Sequence, residues 1–418
     1  MSSKLPAASV RLVTLVAPAL AIVLSVIAMP LAHAQFKVLY TFTGGADGGW
    51  PEGGVAIDAK GNAYVTTQFG GNLSCNPPLG CGTVVKIDIT GKETVLHAFN
   101  GGTDGAYPYI TAMLAKGYLW GTTSAGGGAS GCFGSGCGTR FKINLKNAQE
   151  NVTYSFTGGT DGGMPFGGLT PGKSGTFYGI TTFGGDLSCG GSPVGCGVLY
   201  KVDAGGNQTT LYSFTGSTDG ANPLYGNIVW QKVANDSIVW VLTQKGGDLT
   251  CFAFGCGALD GYDTGLSIME TSVDPFGVSN GEFPSSQPTL YKKALYGVAS
   301  SGGANGKGTV VKYDQVTGKF VVLHDFGSGT DGATPIGGVA FDASGNLFGT
   351  TELGGQFGNG TLFKIDTSGA ETVVHDFNLT TDGAVPVGAL TYNSKTKTLY
   401  GTALESSAGS GIVFSFKP

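Results

Sequence analysis

A chain of 418 residues with 75 glycines, 11% aromatic and only 12% charged residues has room for two or three ordinary domains or for one large repeat array. So much glycine beside so many aromatics suits short strands joined by tight turns, and excludes both a helical bundle and a disordered chain. The formal charge of −5 becomes −7 when the first 34 residues are set aside with Lys4 and Arg11 and no acids, and no Lys/Arg cluster follows, which argues against nucleic acid as a partner.

Lys4 and Arg11 precede an apolar stretch from Leu12 to Ala28, and Ala32-His33-Ala34 closes it before Gln35. These are the three parts of a secretory signal. Cleavage after Ala34 is expected, giving residues 1–34 as signal peptide and residues 35–418 as one exported domain, secreted, periplasmic or on the cell surface, with no membrane span left.

The phrase Asp-Gly-x-x-Pro recurs from Asp47, Asp104, Asp161, Asp219, Asp331 and Asp382, with a variant from Asn280, at steps of 57, 57, 58, 61, 51 and 51 residues. Such a period signals a repeat architecture. The first copy reads as four strands, Gly53 to Asp58, Ala63 to Thr67, Thr83 to Asp88 and Thr94 to Phe99, in which β-branched and aromatic residues alternate with small or polar ones. Four short strands per unit is the pattern of a propeller blade. The chain ends complement each other: residues 36–42 form a fourth-type strand with no preceding three, and residues 411–416 form a third-type strand with no fourth. The expected fold is therefore all-β, a seven-bladed propeller of four-stranded antiparallel blades closed by the N-terminal strand completing the last blade.

The units, exemplified by Leu399-Tyr400-Gly401-Thr402, Gly360-Thr361-Leu362-Phe363-Lys364-Ile365 and Thr372-Val373-Val374-His375-Asp376-Phe377, resemble the GloVer (Gloeo/Verruco) tandem-repeat proteins of exported bacterial chains over residues 36–418. The resemblance implies export and repetition and no particular reaction. The fifth copy departs from the pattern at Ala258 to Tyr262 and at Leu266 to Thr271, which leaves its outer strands open.

Eight cysteines form four neighbouring pairs, Cys75/Cys81, Cys132/Cys137, Cys189/Cys196 and Cys251/Cys256, one in each loop between second and third strands of blades one to four. In an exported chain these read as four local disulfides rather than a metal site, whose ligands would have to converge. No cofactor and no metal are expected. In an antiparallel blade the cysteine loops share one side of the disc with the Asp-Gly turns, and long loops on a rigid scaffold are where binding residues collect. On that side the residue before each repeat proline is Trp50, Tyr107, Met164, Asn222, Phe283, Thr334 or Val385, so Trp50, Tyr107 and Phe283 are the aromatic candidates for contact with a glycan or an envelope protein. The repeated Asp (Asn280 in one copy) is read as a turn former that accepts local backbone N–H bonds.

Several catalytic signatures fail. Gly167 to Ser174 matches a phosphate loop in letters only, because the repeat places it on an inner strand and hairpin with no helix after it. No Gly-x-Ser-x-Gly elbow occurs. His97, His324 and His375 occupy the position held by Tyr40, Tyr154 and Tyr212 in other copies, which suits a packing aromatic with a polar tip. Acid–base chemistry is left to the carboxylates Glu52, Asp260, Asp263, Glu282, Glu352 and Glu405, with Glu52, Glu282, Asp260 and Asp263 foremost. The expected role is a monomeric binding or scaffolding module without turnover; the alternative is a polysaccharide lyase or glycosidase using a pair of these acids.

Overall fold

Glycine opposite a large ring is what a repeated aromatic-Gly phrase provides in four of the copies. Gly121, Gly179, Gly349 and Gly401 pair across the ladder with Phe141, Tyr200, Phe363 and Phe414, and a Cβ on Gly401 would lie 2.4 Å from the Phe414 ring. In these four blades the tip of the ring covers the bare backbone, where no side chain could stand. Seven antiparallel sheets make up the computed structural model, which describes Met1 and residues 35–418 apart from 190–193, 234–235, 252–253, 271–275 and 328. The fold is a seven-bladed β-propeller. The expected signal segment lies outside the described residues, and residues 35–418 belong to one compact unit. Among the described residues no helix is long and apolar enough to cross a membrane.

Blade one comprises Ala56–Ile57, Ala63–Thr67, Thr83–Ile87 and Glu93–Ala98. Its second strand is buried throughout, while the fourth is half-exposed. Core clusters accordingly form between blades: Tyr64, Val84 and Phe99 of blade one pack with Leu119, Phe141 and Ile143 of blade two. The innermost strand is shorter than the expected Gly53 to Asp58. Gly53 and Gly54 instead lie against neighbouring blades near the axis, where a Cβ on Gly54 would sit 2.4 Å from the Ala389 carbonyl oxygen.

Closure follows the complementary chain ends. Gln35–Thr41 pairs antiparallel with Ile412–Lys417, from Gln35↔Lys417 to Thr41↔Ile412, with a register shift between Val38 and Tyr40. A second clasp joins the same seam, the Thr402 hydroxyl donating to the Gly53 carbonyl at 2.9 Å. The same bond recurs from Thr66 to the Ile110 carbonyl at 2.7 Å and from Thr122 to the Gly167 carbonyl at 3.1 Å. The closing seam is thus chemically an ordinary one.

One expectation needs correction. The irregular residues Ala258 to Tyr262 belong to the fourth blade, not the fifth, and they do form strands: Gly255–Asp263 pairs with Asp236–Gly247, and Ile268–Glu270 completes the edge. The phosphate-loop lookalike spans the inner strand Thr170–Pro171 and a single 3-10 turn, Lys173–Gly175.

Candidate functional site

The Asp-Gly turn is held by its own carboxylate. Asp47 accepts from the Thr43 backbone N–H at 2.9 Å and from the Tyr40 hydroxyl at 3.0 Å, and Asp161 and Asp219 do the same with Thr157 and Tyr154, and with Thr215 and Tyr212. In three blades histidine replaces tyrosine: His97, His324 and His375 each bring Nε2 to 3.1 Å from Asp104, Asp331 and Asp382. In the variant copy Asn280 accepts from the Gly277 N–H at 2.7 Å. The three imidazoles are therefore engaged in turn latches, and burial pushes the His375 imidazole pKa down. Among the described residues, two groups bring three ligating side chains within 4.8 Å of one another: Cys251, Cys256 and Glu282, and His97, Asp104 and Glu150. Disulfide formation occupies both sulfurs of the first. The second already holds a hydrogen bond between His97 and Asp104, and burial pushes the Glu150 carboxyl up to about 7.

The residue before each repeat proline has positive φ in all seven copies: Trp50 at 58°, Tyr107 at 57°, Met164 at 50°, Asn222 at 51°, Phe283 at 56°, Thr334 at 55° and Val385 at 60°. The left-handed region is costly for any residue with a Cβ, and most of all for Thr and Val. Inter-blade bonds hold it there. The Tyr107, Met164 and Asn222 N–H groups donate to the carbonyls of Cys81, Cys137 and Cys196 in the preceding blades at 2.7–2.9 Å, while the next residue, proline, packs on the glycine after that cysteine, as Pro108 does on Gly82. The four disulfides, Cys75–Cys81, Cys132–Cys137, Cys189–Cys196 and Cys251–Cys256, therefore each fix a loop ending at an inter-blade joint. Each closes a small ring, contributing roughly 2 kcal/mol by restricting the unfolded chain.

This backbone turn separates two sets of aromatic side chains. The residues before proline stay on the rim: Trp50 is 42% exposed and meets Phe69 edge-on at 5.5 Å, and Phe69 meets Tyr107 at 5.8 Å. Tyr107 also packs against the core between blades one and two, and Phe283 is half-buried. None of the three lines the axial cavity. The residues after the proline point to the axis. Glu52, Tyr109, Tyr225, Ser286, Ile336 and Val387, from six different blades, line a cavity of about 200 Å³ at the mouth of the central channel. Tyr109 meets Phe166 edge-on at 4.8 Å, and Tyr225 lies 5.9 Å from Phe166 and 6.4 Å from Tyr109. The Gln68 amide donates to the Tyr109 hydroxyl.

Two carboxyls face this cavity, Glu52 from blade one and Glu352 from blade six. Burial pushes Glu52 up to about 7 and raises Glu352. Tyr225 is pushed up to about 12, first by burial and then by the Glu52 charge, and Tyr109 is raised by the same causes. The other carboxyls are dispersed. Asp260 is wholly buried in blade four with neither oxygen hydrogen-bonded. Asp263 is half-buried at the end of its strand and accepts the N–H groups of Gly265 and Leu266. Glu282 is buried beside Cys251 and Ser301 at the next seam, and Glu405 is exposed. Tyr109, Phe166, Tyr225 and Ser286 are absent from the sequence-based candidates. The signal that finds them is their place one or two residues after the repeat proline, opposite in direction to the residues before it.

A family model described as the Gloeobacter/Verrucomicrobia repeat matches residues 25–254 and 187–414. The chain belongs to the Gloeobacter/Verrucomicrobia repeat family. No curated protein matches it. Among solved structures, this Gloeobacter/Verrucomicrobia repeat chain is similar to an oligogalacturonate lyase from Vibrio parahaemolyticus, with 11% identity and a TM-score of 0.55 over 92% of this chain and 97% of that one. It is also similar to the extracellular domain of a hybrid two-component system from B. thetaiotaomicron, with 12% identity and a TM-score of 0.55 over 92% of this chain and 41% of that one. At such identities the likeness is one of propeller fold alone.

Proposed function

We propose that this exported propeller is a ligand-binding module whose site is the mouth of its central channel, and that it holds a glycan or a similar small polar ligand without turning it over. The observation that carries this reading is the convergence of Tyr109 and Tyr225, each in contact with Phe166, with Glu52 and Glu352 on one axial cavity. Aromatic faces and a few placed polar groups are what a sugar-sized ligand needs from its pocket. Rigidity supports it too, since seven blades joined by backbone bonds and threonine clasps, four of them with a disulfide-stiffened loop, present the mouth with little ordering to be done on binding. Export is in keeping with the four disulfides and the signal-like leader.

The catalytic alternative draws on the same two carboxyls, an acid and a base across a glycosidic bond. A glycan array followed by product analysis separates the two. Retention of a glycan that is weakened by Tyr109→Ala and not by Trp50→Ala, with no shortened product, is expected; cleavage abolished by Glu52→Gln in a folded protein overturns the binding reading in favour of the hydrolytic or lyase one.

A further inference from the structure

We infer that the channel mouth selects ligands carrying a positively charged ammonium group, an inference that rests on the mouth being the binding site. Charge bookkeeping leads to it. Two carboxyls line the cavity, and none of the described lining residues is Lys, Arg or His. Neither Glu52 nor Glu352 has an ion-pair or side-chain hydrogen-bond partner among the described residues, in contrast to the turn aspartates, each tied into a latch. Carboxyls set in a half-buried apolar wall with no counter-charge create a field that favours a cation and repels an anion.

The aromatic rings add to that field. Tyr109, Phe166 and Tyr225 meet edge-to-face or tilted, at centroid distances of 4.8, 5.9 and 6.4 Å, so their faces are not stacked on one another. Ring faces carry the negative side of the π quadrupole, and a cluster of them beside a carboxylate is the chemistry that holds an organic ammonium. A buried polar atom points the same way: Ser286 lines the cavity, is only 5% exposed, and its hydroxyl has no hydrogen-bond partner. A buried hydroxyl without a partner is rare in a native fold, and an N–H donor from a ligand would satisfy it. Hard metal ions fit less well, since calcium takes six to eight oxygens and the lining offers two carboxyls from different blades among mainly aromatic, aliphatic and glycine residues. Burial raises Glu52 and Glu352, which is how carboxyls without a counter-ion respond, and a bound ammonium would draw both back down.

The ammonium could be carried by an amino sugar with a free amine, or by a small methylated ammonium ion, and a calorimetric titration distinguishes them. Protein spanning residues 35–418 is titrated separately with glucosamine tetramer, tetramethylammonium, the uncharged cellotetraose, and calcium chloride. At least one ammonium probe is expected to bind about tenfold or more tighter than cellotetraose, and Glu52→Gln or Glu352→Gln should erase most of that preference with the melting temperature retained. A tighter glucosamine tetramer assigns the amino sugar; tighter tetramethylammonium assigns the small ion. Equal affinity for glucosamine tetramer and cellotetraose, both lost in Tyr109→Ala, overturns the charge preference and leaves the mouth as the site. Ammonium binding indifferent to Tyr109→Ala and Glu52→Gln, or no binding by any organic probe, removes the mouth itself. Calcium that binds stoichiometrically and is lost in Glu52→Gln would replace the ammonium with a metal.

Discussion

Replacing Asp260 by valine is expected to stabilise the protein. Asp260 pairs across the ladder with Val241, the position at which blade one pairs Val85 with Val65 and blade five pairs Val311 with Gly297. It is 0% exposed and both carboxyl oxygens lack a hydrogen-bond partner. An unpartnered buried polar group costs about 1–3 kcal/mol, and a buried valine side chain adds roughly 1.5 kcal/mol of favourable burial, so Asp260→Val should gain on the order of 2–4 kcal/mol. Burial, and then the Asp219 charge, raise the Asp260 pKa well above its ordinary value. The folded chain therefore keeps a proton that the unfolded chain releases near pH 4. Stability contributed by this group is fully present below that pH and falls by about 1.4 kcal/mol per unit as pH rises towards the folded pKa. Urea unfolding of wild type, Asp260→Val and Asp260→Asn at pH 5 and pH 8 tests both points, with the variants losing this part of the pH dependence. A valine variant less stable than wild type at both values would mean that the carboxyl is satisfied in the native fold and refute the reasoning.

Deleting residues 35–42 should expose Ile412–Lys417 to hydrogen exchange more than any strand of blade one, because it loses its outer partner along with the buried Phe42; full protection of that strand after deletion would show that closure does not depend on the N-terminal segment. Gly54→Ala, which sets a Cβ 2.4 Å from the Ala389 carbonyl, should cost roughly 1–3 kcal/mol by forcing the inner strands of blades seven and one apart, measured by urea unfolding, and an unchanged midpoint would mean the axis is looser than described.

The repeat phrase and the complementary strands at residues 36–42 and 411–416 made the propeller legible in the sequence, since strand count and hydrophobic patterning are local properties. The cysteine pairs were legible for the same reason. The mouth was not. Its residues lie beside the rim aromatics in sequence, and what separates Trp50 from Glu52, or Tyr107 from Tyr109, is a left-handed residue before proline that a tryptophan, threonine or valine gives no sign of adopting. The strain is held by a bond to a carbonyl of the preceding blade, so it appears only once the blades are stacked. Asp260 was legible as an unusual carboxylate but not as a buried one: its place in the core follows from a register with Val241 that the irregular copy hides. The histidines were read correctly as tyrosine equivalents, while their common partner, the turn aspartate seven residues on, becomes visible only in the folded turn.

A crystal structure of residues 35–418 soaked with glucosamine tetramer tests the central claim most directly. A sugar ring is expected in the axial mouth, in contact with Tyr109 or Tyr225 and with its ammonium towards Glu52 or Glu352. Density on the rim at Trp50 and Tyr107, with the mouth holding only solvent, would contradict it.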